Sequence, residues 1–151
     1  MTPYQELAEQ LKADILTLDK LRANVVESAE ICRALNFDTL TPQDNREIEA
    51  LTARFERAQD FFVTKVLRII DVFEGEEGTT LDVLNRAEKR TLIESAAIFR
   101  EMRVLRNKIA HEYAGYGPAD VARAVLDFVP VLLDAFERAR EYATRPEFRA
   151  S

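Results

Sequence analysis

One cysteine and one histidine stand among 151 residues, with four glycines, five prolines and no tryptophan. A lone Cys32 excludes an internal disulfide. Cys32 and His111 together cannot supply the nitrogen and sulfur ligands of a structural zinc site. No cofactor or metal is expected. Scarce glycine and proline argue against the many tight turns of a β-sandwich and for long helices with short connections. No stretch stays apolar for the roughly 20 residues that a membrane-spanning helix needs. The opening MTPYQELAEQLKADIL carries acids and lacks the apolar core of a secretory leader. A cytoplasmic protein without membrane contact is the expectation. Ser28, Ser95 and Ser151 lie in no nucleophile-elbow context, and no glycine-rich segment resembles a phosphate loop or a dinucleotide fingerprint. The acidic run EGEEG lacks the ligand spacing of a calcium loop and reads as a solvated connection. A net charge of -6 argues against broad, sequence-independent affinity for nucleic acid, while leaving room for a local basic site.

What is present is helical periodicity. A 47% apolar and 32% charged composition suits one globular domain over residues 1–151. Apolar residues recur at helical spacing from Tyr4 to about Leu35, and Thr2-Pro3 supplies a cap and first turn. Thr41-Pro42 restarts a helix in the same way. Ile48, Leu51, Phe55, Ala58, Phe62, Val66, Ile69 and Phe73 then follow in steps of three and four. GEEGTT ends that helix, and Gly75 and Gly78 can adopt backbone conformations other residues avoid. A short helix is expected over Leu81–Arg86 and a longer one from about Lys89 to Tyr113, stopped by GYGP. Pro118 opens a last helix, in which Pro130 should cause a kink or interrupt the hydrogen bonding. The fold expected is an all-α, up-and-down bundle of four main helices plus one short helix.

The chemistry concentrates in RNKIAHEY, Arg106 to Tyr113. At 100° per residue, Leu92, Phe99, Met102, Ile109, Ala110 and Tyr113 share one apolar arc, and Arg106 falls about 20° from Phe99 in its middle. An arginine there is costly unless it is paired or reaches a wet cleft. Arg100, Arg103, Asn107 and His111 form a polar strip along the neighbouring flank. Between Arg100 and Lys108, four cations meet one acid, Glu101, in a chain that is acidic overall. Each residue has an ordinary structural explanation: a histidine near a helix end satisfies carbonyls, and an arginine pairs with an acid on another helix. Together, guanidinium, amide and imidazole suit an anionic phosphate and a proton transfer. Arg106 and His111 lie about 140° apart on a straight helix. Either the helix end distorts, or two copies of the chain meet across a two-fold axis.

The pattern of Arg106, NKIA, His111, Glu112, Tyr113, preceded by LIESAAIFREMRVL, resembles the motif helix of the HEPN superfamily, in particular its HepT-type toxins. That resemblance implies a symmetric dimer with the HEPN helical fold. It implies a metal-independent endoribonuclease paired with a minimal nucleotidyltransferase antitoxin. Carried over by position, His111 assists proton transfer from the RNA 2′-hydroxyl and Arg106 neutralises the scissile phosphate. Asn107 orients phosphate or imidazole, while Arg103 and Arg100 support RNA. Tyr113 is the hydroxyl that the partner modifies with AMP. The same segment also resembles related HEPN proteins that bind a nucleotidyltransferase without cleaving RNA, which is the alternative function.

Overall fold

The computed structural model describes residues 1–110 and 117–146, with the backbone alone at Arg106, Lys108, Ile109 and Ala110. It is all-helical among those residues, in the order α1 (Pro3–Arg33), α2 (Pro42–Phe61), a π-helical turn (Phe62–Leu67), α3 (Arg68–Phe73), α4 (Thr80–Lys89), α5 (Ala96–Ala110) and α6 (Pro118–Ala143). Both Thr-Pro starts behave as expected. Thr2 and Thr41 each accept from the backbone N–H three residues on, and Gln5 and Asp44 return the bond to the cap backbone. No helix among the described residues is long and apolar enough to cross a membrane.

The second helix departs from a plain α-helix. Its apolar stripe continues, but Phe62–Leu67 is π-helical between α2 and α3. Thr64 contributes at the head of this segment: its hydroxyl donates to the Asp60 carbonyl at 2.8 Å, competing with the main-chain donor. The turn carries Phe62, Val63, Val66 and Leu67 into the core, all fully buried. Phe62 packs between Phe99 of α5 (ring centroids 5.9 Å apart) and Phe136 of α6 (5.2 Å). Full burial of such a ring contributes roughly 1.5–3 kcal/mol. α1 packs along α2, and α6 lies against both.

Three boundaries differ from the sequence expectation. α1 stops at Arg33 rather than near Leu35, and α4 is longer than Leu81–Arg86. α5 begins at Ala96, not near Lys89, because the chain turns at Arg90 and Thr91. Leu92 is buried but belongs to this turn rather than to α5. Pro130 lies inside α6, which runs as one helix from Pro118 to Ala143; without an N–H it leaves one helical hydrogen bond unmade, on the exposed side.

The EGEEG connection is exposed, as expected, yet it is tied down. The Glu77 and Gly78 carbonyls accept from Arg86 and Arg68. Gly75 and Gly78 both have positive φ, 79° and 153°. A Cβ on Gly78 would lie 2.6 Å from Asp82 Oδ2, the carboxylate that completes the cap of α4.

Candidate functional site

α5 is started by side chains from before it. Glu88 Oε1 accepts from Ala96 N at 2.9 Å, and Ser95 Oγ accepts from Ile98 N at 3.3 Å. These supply acceptors for donors that a first helical turn leaves unpaired. Ala96, Phe99, Met102 and Leu105 are buried and form its inner face. Arg100, Glu101, Val104 and Asn107 are exposed on its outer side.

The expected basic strip is therefore present in part. Arg100 and Asn107 face solvent. Arg103 is half-buried and turned toward α2, its Nη1 4.0 Å from Asp60 Oδ1. At that distance the two charges attract without a hydrogen bond between these atoms. Backbone position 106 lies two turns beyond Phe99, on the inward-packed face. The side chain of Arg106, and all of His111 and Tyr113, lie outside the described residues.

Beside the strip, α5 and α6 border a groove of about 460 Å³. Ala97, Val104 and Leu105 line one side, Ala124 and Phe128 the other, with Arg100 and Glu101 at the edge. Phe128 is held by stacking on Phe55 of α2, ring centroids 6.3 Å apart. The groove joins a flat apolar floor to a cation. No family model, curated protein or solved structure matches the chain.

A second polar centre was not anticipated. Asp71 of α3 is 1% exposed and holds two arginines. Arg86 Nε and Nη2 bond its Oδ2 at 2.9 and 2.6 Å, and Arg90 Nη1 bonds Oδ1 at 2.5 Å. The bond to Asp71 holds the Arg86 guanidinium pKa above its ordinary value. Nearby, the Tyr142 hydroxyl donates to Glu74. Burial, and then this hydrogen bond, push the Tyr142 phenol up to about 12. Arg145 lies over the Tyr142 ring, 4.0 Å from its centroid. The sequence signal for this centre was faint: an aspartate inside the apolar run ending at Phe73, and arginines at the i, i+4 positions 86 and 90.

Proposed function

We propose that the chain is an endoribonuclease of the HepT kind, working as a symmetric dimer, with Arg106 and His111 at the cleavage centre. The observation that carries this reading is the run Arg106, Asn107, His111, Tyr113, placed on α5 and immediately after its last described residue. The all-helical architecture and the exposed Arg100 and Asn107 on the same helix support it.

The chemistry follows from the residue types. The ribose 2′-oxygen attacks the adjacent phosphorus while its proton passes to the His111 imidazole. The bond from phosphorus to the 5′-oxygen breaks, and a proton returns to the leaving oxygen. An imidazole titrates near neutrality and can serve both transfers. The Arg106 guanidinium offsets charge building on the phosphate oxygens. Arg100 and Asn107, exposed on the outer side of α5, guide the RNA strand, with the half-buried Arg103 beside them. Tyr113 is the hydroxyl to which a partner nucleotidyltransferase transfers AMP from ATP: the phenolic oxygen bonds the α-phosphorus, pyrophosphate leaves and the phenolic proton is released. The adduct would block the strand by volume and by negative charge.

The test is cleavage of RNA by the purified chain in the presence of a chelator, with His111→Ala and Arg106→Ala beside it. Each variant should retain its helical circular dichroism and lose cleavage by ~10²–10⁴-fold, the range for loss of a general acid or base. Cleavage by His111→Ala at the parental rate would remove the histidine from the mechanism. A folded parent that binds a nucleotidyltransferase but cleaves no RNA would shift the function to the non-catalytic alternative.

A further inference from the structure

We propose that the cleft between the end of α4 and the end of α6 is a second binding site, for a small phosphorylated anion. It encloses about 410 Å³, within the ~300–1,000 Å³ typical of small-molecule pockets. Arg90, Arg138 and Arg145 line it together with Thr91 and Tyr142, and Glu141 is the one acid on its wall. Three guanidinium groups thus converge on one cleft in a chain of net charge -6, two of them anchored by carboxylates behind them.

Each arginine is already held in position. Arg90 is anchored on Asp71, but Asp71 also carries Arg86, so one carboxylate is shared between two cations. Arg138 bonds Asp134 at 2.9 Å and donates to the Thr91 carbonyl at 3.2 Å. Arg145 makes no carboxylate ion pair among the described residues and is placed instead by the face of Tyr142. Tyr142 is fixed in turn by Glu74. Positioned guanidinium forks are the donors that phosphate oxygens match in pairs. The walls are too polar for an apolar guest, and the space exceeds what a single inorganic ion fills, so a nucleotide-sized phosphate ester fits best.

This site is separate from the proposed cleavage centre. The cleft lies before the start of α5, whereas Arg106 and Asn107 lie in the last turns of that helix. The fifteen residues of that helix span about 22 Å. An arginine cluster could serve only to tie α4 to α6, and Arg145 distinguishes the two roles because, among the described residues, its guanidinium meets only the Tyr142 ring at the end of its own helix and bridges to no residue of α4.

The experiment is calorimetric titration of the whole chain with sodium phosphate and with AMP, ionic strength being held constant with chloride. Saturable binding is expected, accompanied by a rise in melting temperature. Arg145→Gln should weaken it about 10-fold or more, as loss of a charged hydrogen bond does. Arg33→Gln, an exposed change remote from the cleft, should leave it intact. RNA cleavage by Arg145→Gln should equal that of the parent, which keeps this outcome independent of the ribonuclease reading. The proposal falls if the parent binds neither probe saturably, if Arg145→Gln binds as the parent does, or if Arg33→Gln weakens binding equally. Binding of an oligoribonucleotide without AMP or phosphate would overturn the small-ligand assignment.

Discussion

Thr91 follows α4 at a position that glycine ordinarily fills. Its φ is 60°, and its N–H bonds the Glu88 carbonyl at 3.0 Å while Leu92 N–H bonds Ala87 at 2.9 Å. These two bonds form a Schellman end, in which the residue at this point must be left-handed. A β-branched side chain there is strained by ~1–2 kcal/mol, only part of which the entropy of a glycine would cancel. Thr91→Gly should therefore raise stability by about 1 kcal/mol, read as a higher urea midpoint at unchanged slope. An unchanged or lower midpoint would show that the threonine side chain compensates for the strain. At this scale the sequence was legible where residue type and conformation agree. Thr2 and Thr41 cap helices, and Gly75 and Gly78 take positive φ. It was illegible at Thr91, because no glycine marks the break. Phe99 and Leu92, seven positions apart, looked like one helical face although a turn divides them.

Among the helices, α3 and α4 are joined by a buried charge as well as by apolar packing. Asp71 is buried and its carboxylate binds both Arg86 and Arg90, while Arg86 also holds the Glu77 carbonyl of the connecting loop. Asp71→Asn keeps the shape and removes the charge, leaving two arginines without their partner. A loss of roughly 2–3 kcal/mol is expected, below the full penalty of a buried pair because both arginines can reach water. Chemical denaturation checks this, and a loss under about 0.5 kcal/mol, the scale of an ordinary surface change, would refute the clamp. The helices themselves were readable from apolar spacing, since one buried face per helix leaves a regular trace. The π-helical turn was not. Its trace is the doubled step of four from Ala58 through Phe62 to Val66, which ordinary α-helical spacing also produces. The arginine cleft was hidden for another reason: Arg90, Arg138 and Arg145 meet only after α4 and α6 have packed.

For the molecule as a whole, the ribonuclease reading requires two copies. Val104 is 52% exposed beside the groove bordered by α5 and α6, where a second chain would cover it. Sedimentation should give twice the 17.3 kDa chain mass, and Val104→Glu should shift the protein to monomer and lower RNA cleavage with it. A monomeric parent that cleaves RNA at full rate would dismiss the dimer. The candidate site was legible in the sequence as a motif because its residue types are distinctive. The approach of Arg103 to Asp60 was not, because that pair joins helices whose packing no local pattern specifies. The placing of α6 against both α1 and α2 bears on the order of synthesis. α1 and α2 are neighbours in the chain and can pair as soon as both have left the ribosome. The residues that cover them, Val125, Val129, Leu132 and Phe136, emerge only after both. Until α6 is made, the growing chain leaves an apolar trough along α1 and α2 uncovered, and exposed surface of that kind is what draws unfinished chains into aggregates.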